Sequence, residues 1–211
     1  MIPALTRFTE KTLSHIPASY PLMRMYYGNI VRREIELGAI TRNDRVMCVG
    51  GGAFPATAVE ICRKTGAAVD VLDCDEDAVH HARDLLRKLG MWQIDVYAGC
   101  GQTFDPAGYS VIHVALQVKG RSEILHHVSR DAELGTRILF RLPHEKLKKF
   151  YDRQCPASPE KRSLIKPQAV LQPGTTMQGT CLLVKEVREN ERKEMDAGHW
   201  LPAFAGVALE D

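Results

Sequence analysis

One run limits the fold more than any other: Val46-Met-Cys-Val-Gly50-Gly-Gly52-Ala-Phe-Pro55-Ala-Thr57. Four largely apolar residues lead into a glycine cluster, and a helical pattern starts near Pro55. This order predicts a buried strand, a tight turn and a helix N-terminus. Gly50, Gly51 and Gly52 let the backbone turn sharply and let a ligand come close to it. The helix start offers unpaired N–H groups, and Pro55 suits a first-turn position because it has no N–H to leave unpaired. About 20 residues further on, Val69-Asp-Val-Leu-Asp73 reads as a second strand ending in a carboxylate, the place where an acid accepts the hydroxyls of a ribose. The alternative is a tight strand-to-helix turn that binds nothing.

The rest of the chain repeats this alternation. A helix is expected over Leu22–Leu37, from apolar residues spaced by three or four, and it ends at Gly38. After the glycine loop, a helix is expected at about 55–65, a strand at 68–73 and a helix over Glu76–Leu89. Strands follow at Ile94–Ala98, Tyr109–Leu116 and Thr136–Leu142, with helices over Ser122–Ser129 and Glu145–Tyr151. Asp75, Glu76 and Asp77 crowd one helix start, where the helix dipole favours negative charge. Such alternation implies parallel strands joined by right-handed crossovers. The end differs: Ala169–Gln172, Pro173-Gly174 and Gly179–Val187 read as an antiparallel hairpin. The expected architecture is α/β, a Rossmann-like class I methyltransferase fold. Its mostly parallel, seven-stranded sheet ends in that hairpin. A nicotinamide-binding fold fits less well, because the loop is Gly50-x-Gly52-x-Phe54, with Pro55 where a third glycine would stand.

The division expected is a short helical lead over 1–40, with turns around Leu5–Ile16, a nucleoside-binding unit over 41–187 and a tail over 188–211. The tail is charged and then apolar, with Trp200 and Phe204. It either folds back on the domain or meets a partner, a second copy included. The net charge of +2 is spread along the chain, so nothing calls for nucleic acid. No apolar run reaches the length of a membrane span, and the N-terminus has no signal-peptide pattern. Six cysteines without CxxC spacing suggest a reduced, cytoplasmic setting rather than a disulfide frame.

Several stretches together resemble one family. Gly50-x-Gly52-x-Phe54-Pro55-x-Thr57-Ala58 is similar to the glycine-loop signature of nicotianamine synthases. Tyr109–Leu116 resembles their fourth strand, and Gly135–Arg141 their fifth, which also ends in arginine. Val170–Gly174 with Thr180–Lys185 resembles the C-terminal hairpin of the archaeal members. Pro21 and Tyr26 line up with a tyrosine-rich segment upstream. The resemblance covers roughly residues 20–187. It implies S-adenosyl-L-methionine as cosubstrate and transfer of its 3-amino-3-carboxypropyl group to a small amine or amino acid, giving a metallophore-type product. An ordinary small-molecule methyltransferase and a non-catalytic binding member are the alternatives. The sequence departs from the family in having only about 45 residues before the first strand, too few for a bundle of ordinary helices. It departs again at Cys100, which stands where methyltransferases often place an acid toward the adenine amino group.

The expected cosubstrate-binding residues are Gly50, Gly51, Gly52, Phe54, Asp73, Cys74, Gly99, Cys100, Ala115 and Leu116, the last two on the adenine side. Phe54 either packs over the ligand or covers the helix start. Tyr26 either hydrogen-bonds the acceptor amine or the cosubstrate carboxylate, or is a core tyrosine with a wet hydroxyl. Glu34 is either the general base, with Glu10 the other nearby acid, or a charge on a helix face. Arg141 either binds a substrate carboxylate in its fork or makes an ion pair. No protein-bound metal is expected. Neighbours in His80-His81 and His126-His127 point in different directions on a helix, and i, i+4 ligand spacing is missing. His113 is expected in the core. Among the cysteines only Cys100, in its turn, could be reactive.

Overall fold

The computed structural model describes residues 20–144, 168–171 and 177–186. Helix α1 (Tyr20–Leu37) precedes β1 (Arg45–Val49), α2 (Ala56–Thr65), β2 (Ala68–Asp73), α3 (Glu76–Lys88) and β3 (Ile94–Ala98). Then come β4 (Val111–Val114), α4 (Arg121–Asp131), β5 (Arg137–Pro143), β6 (Gln168–Leu171) and β7 (Met177–Val184). The expected turns at Leu5–Ile16, the helix at Glu145–Tyr151, the Pro173-Gly174 turn and the tail lie outside the described residues, as do Glu10 and the side chain of Tyr26.

The seven strands form one sheet in the order β3-β2-β1-β4-β5-β7-β6. Strands β1 to β5 pair in parallel, and β7 runs antiparallel to both β5 and β6. The chain winds outward from β1 to β3, then returns to place β4 on the other side of β1. That reversal opens a crevice beyond the C-terminal ends of β1 and β4.

Residues alternate across the sheet with period two. Val46, Cys48, Val69, Val71, Val111 and Leu139 join a core with Val31 of α1, Val59 and Ile61 of α2, and Val79, Ala82 and Leu86 of α3. Met47, Val49, Leu72, Ile112, Val114, Ile138 and Phe140 join the opposite core with Ile124 and Val128 of α4. Both faces of the sheet are therefore covered, as parallel strands require.

Local chemistry sets the element ends. Asp75 caps α3, its Oδ1 accepting from Ala78 N at 3.2 Å. Gly66 closes α2 in the left-handed region at φ 74°, its N–H donating to Cys62 O. Strand β4 is shorter than the expected Tyr109–Leu116. Its flanking bonds, Ser110 N to Arg45 O and Ala115 N to Val49 O, are each 3.0 Å long. Tyr109 stands before them and turns its ring to another task.

That task is to satisfy Asp70, a buried acid in β2. Asp70 Oδ2 accepts from Tyr109 Oη at 2.8 Å and from Arg45 Nη2 at 2.8 Å. The Arg45 guanidinium lies 4.6 Å from the Tyr109 ring centre. Burial, then the Asp70 carboxylate, pushes the Tyr109 hydroxyl well above the usual phenol range. Tyr109→Phe removes one donor from a buried carboxylate. The expected loss is about 1–3 kcal/mol in urea unfolding, and an unchanged midpoint would contradict it.

Candidate nucleoside and acceptor site

The glycine loop sits over the ends of β1 and β2. Gly50 takes φ +86°, and a Cβ there would meet Val118 Cγ2 at 2.1 Å, so only glycine fits. Gly52 N–H donates to Asp73 Oδ2 at 2.7 Å, and Asp75 N–H donates to Asp73 Oδ1 at 3.1 Å. One carboxylate thus ties the loop after β1 to the loop after β2. Its remaining acceptor capacity faces a cavity of about 240 Å³.

Gly50, Gly52, Asp73, Cys74, Gly99 and Cys100 all line that cavity, with Gln102, Gln117, Val118 and Lys119. A second cavity, of about 90 Å³, is lined by Gly50, Gly51, Phe54, Ala115, Leu116 and Arg141, together with Tyr27, Thr57, His113 and Gln117. Val49, Gly50 and Gln117 border both, so the two spaces adjoin at the glycine turn. Ala115 and Leu116 were expected beside the adenine. They line the smaller cavity, while Asp73, Gly99 and Cys100 line the larger one. Phe54 is buried in a cluster with Ala56 and Leu85, and it also borders the smaller cavity, so both of its expected roles have a basis.

Beneath the smaller cavity lies a buried polar group. Glu34, on α1, has no exposed surface. Its Oε1 accepts from Arg141 Nε at 2.8 Å and its Oε2 from Arg141 Nη2 at 2.8 Å. Thr180 Oγ1 donates to Oε1 at 2.6 Å. Arg141 Nη2 also donates to Thr57 Oγ1 at 3.1 Å. Burial alone would raise the Glu34 carboxyl. The Arg141 guanidinium, and after it His113, hold it well below the usual carboxylate range. A carboxylate so stabilised is a weak base. Glu34 and Arg141, two of the residues for which the sequence left several roles open, are therefore partners: the fork of Arg141 already grips an internal carboxylate.

His113 is buried, as expected. Its Nε2 lies 3.3 Å from Glu34 Oε2. Burial pushes its imidazole down, and Glu34 only partly restores it. Burial also pushes the Cys48 thiol up to about 12, which makes it inert.

Sequence reading missed Tyr27, Thr57, Gln117, Val118 and Thr180 as parts of the site. Thr57 stood inside the quoted loop. Thr180 reaches Glu34 only because β7 pairs with β5 in the register Arg141 opposite Thr180, which no local pattern reveals. The histidines are taken separately: His80 faces Asp84 at 3.3 Å, and His127 faces Asp131 at 2.9 Å and Phe104 O at 2.6 Å. Among the described residues no group of three or more His, Cys, Asp or Glu is placed to hold a metal ion. No helix among them is long and apolar enough to cross a membrane.

No family model matches the chain. Among solved structures, a point mutant of the nicotianamine synthase MtNAS in complex with S-adenosylmethionine aligns with TM-score 0.70 and 19% identity, over 89% of this chain and 73% of that one. MtNAS in complex with MTA and tNA gives TM-score 0.68 and 21% identity, over 83% and 68%. An RNA methyltransferase from Salinibacter ruber in complex with S-adenosyl-L-homocysteine gives 0.58 and 18%, over 76% and 94%. The chain has the class I methyltransferase fold. Within that fold MtNAS aligns with a higher TM-score than the Salinibacter methyltransferase. An L-histidine 2-aminobutanoyltransferase of Pseudomonas aeruginosa is 36% identical over 72 residues, 33% of this chain and 27% of that enzyme. A protein of the same name from Yersinia pestis is 35% identical over 65 residues, 31% of this chain and 24% of that one. The match thus spans about a quarter of the length of these relatives.

Proposed function

We propose that the protein is an S-adenosylmethionine-dependent transferase, similar to nicotianamine synthase, that moves a 3-amino-3-carboxypropyl group to a small amine or amino acid. The observation that carries this reading is the pair of cavities adjoining at Gly50, one bordered by the Asp73 carboxylate and the other by a polar floor. Bound S-adenosylmethionine supplies a carbon made electrophilic by its sulfonium. The chain's part is to align an amine with the breaking C–S bond and to take its proton.

In this reading Asp73 holds the ribose, while Gly50, Gly51 and Gly52 keep the backbone close to the methionine part. Cys74, Gly99 and Cys100 border the adenine. Ala115, Leu116 and Phe54 shape the acceptor cavity. Glu34 acts through Arg141 as a positioning residue: the pair keeps the Arg141 fork rigid below the acceptor. Tyr26, on the same helix, is the group proposed to meet the acceptor amine. The name of the curated relatives points to a four-carbon amino-acid unit, the size of the group proposed here. A metallophore-type product, a cytoplasmic setting, contact with a second copy through the tail and the division at 40 and 187 belong to the same proposal.

Methyl transfer is the second reading, favoured by the fold shared with the Salinibacter methyltransferase. The by-product separates the two. Incubation with S-adenosylmethionine and a panel of small amines is expected to release 5′-methylthioadenosine, read by chromatography. Release of S-adenosylhomocysteine would establish methyl transfer instead. Absence of both, with no binding, would favour a non-catalytic member.

A further inference from the structure

At the floor of the smaller cavity, His113 is 1% exposed, yet it borders that space together with Tyr27, Thr57 and Arg141. It sits in β4 opposite Cys48 of β1, two residues short of Gly50. By strand spacing that is about 7 Å below the glycine turn, where the two cavities adjoin. Two neighbours decide what its ring can offer a ligand. Glu34 Oε2 lies 3.3 Å from Nε2, and against burial Arg141 holds that carboxylate ionised. A bare Nε2 would turn its lone pair on this negative charge, so the ring carries its proton on Nε2 and its lone pair on Nδ1. Burial pushes the imidazole down, so at neutral pH the ring is uncharged and Nδ1 is an acceptor. Arg141 offers an incoming carboxylate little. Its charge is matched by Glu34, and its Nε and Nη2 are already donating.

We infer that Nδ1 of His113 faces the smaller cavity and accepts a hydrogen bond from the far end of the acceptor, so that the site selects small amines carrying a second N–H or O–H donor. The attacking nitrogen then lies at the glycine turn, near the sulfonium, and a short chain carries the second donor down to the imidazole. An alkyl end at the same depth leaves a buried Nδ1 without a partner, and sites built to pair a polar group discriminate strongly against analogues that lack it. A carboxylate end sets its own lone pairs against that of Nδ1. Glu34 acts at one remove, by fixing the tautomer. The inference rests on the aminocarboxypropyl-transfer reading given above and narrows its acceptor class.

The experiment gives the full chain, as wild type and as His113→Leu, S-adenosylmethionine with propanolamine, n-butylamine or β-alanine in turn. Release of methylthioadenosine yields kcat/KM for each amine. The expected result is a preference for propanolamine over n-butylamine of at least about 10-fold in the wild type, falling to near parity in His113→Leu, with the calorimetric affinity for S-adenosylmethionine unchanged. His113→Asn keeps an acceptor oxygen near the position of Nδ1 and should retain part of the preference, which separates a lost contact from a damaged fold. Nitrogen NMR spectra of the ring, its signal identified by its loss in His113→Asn, are expected to show a protonated Nε2 and a bare Nδ1. A preference that persists in His113→Leu, a wild type that favours β-alanine, a proton on Nδ1, or bound nucleoside with none of the three amines consumed would each overturn the inference. If the wild type binds no nucleoside, or releases S-adenosylhomocysteine, the aminocarboxypropyl reading fails and the acceptor class with it. The ring spectra still show separately whether Nδ1 is bare.

Discussion

Glu34→Ala is expected to lower stability by about 3–5 kcal/mol, because it leaves the buried Arg141 guanidinium without its carboxylate. Arg141→Ala should cost a similar amount by stranding the Glu34 carboxylate. The pair's net worth is a separate matter. Replacing both residues together, as Glu34→Leu with Arg141→Met, is expected to recover most of the loss, since apolar packing often matches a buried ion pair. Urea unfolding of the four proteins reads all of this. Single variants with unchanged midpoints would show that the pair does not form. The pH dependence follows from direction. The folded state holds Glu34 below its unfolded value of about 4.3, so its stabilisation is full above that pH and is lost as pH falls below it. His113 is also held below its unfolded value of about 6.5, so the unfolded chain takes up its proton first as pH falls. Both groups therefore make the protein less stable toward acid, His113 beginning at the higher pH. His113→Phe should flatten the part of that decline lying above pH 5.

Asp73→Ala is expected to weaken S-adenosylmethionine binding by at least about 100-fold. Two hydrogen bonds from ribose hydroxyls to a carboxylate are each worth about 1.5–3 kcal/mol. The same carboxylate ties Gly52 N–H to Asp75 N–H, so its loss also frees the glycine loop. Asp73→Asn keeps one acceptor oxygen and should lose less, about 10-fold.

The parallel part of the fold was legible because each strand is a short apolar run bounded by turn residues. Val69–Asp73 and Ile94–Ala98 fall in the elements read for them, and Gly66 and Asp75 end and begin helices as their chemistry dictates. The lining of the larger cavity was legible for the same reason: Asp73 ends β2, and Gly50, Gly52, Cys74, Gly99 and Cys100 follow strand ends that the topology brings to one edge. The polar group beneath the smaller cavity was not. Glu34 and Arg141 lie 107 residues apart in sequence, and their pairing depends on how α1 packs across β5. Thr180 joins them through the register of β7 on β5. Periodicity reads α1 as an amphipathic helix but says nothing of which buried position carries an acid with a distant partner. Tyr109 was read as the start of the fourth strand, which begins at Val111 instead, and its hydroxyl serves Asp70.

The most direct test of the account is to titrate the wild-type protein and Asp73→Ala with S-adenosylmethionine by calorimetry, side by side. One binding event per chain in the wild type, weakened at least about 100-fold in the variant, is the predicted result. Equal affinity in the two proteins, or no heat from the wild type at millimolar nucleoside, would contradict the claim that a sulfonium nucleoside sits on the glycine turn with its sugar held by Asp73.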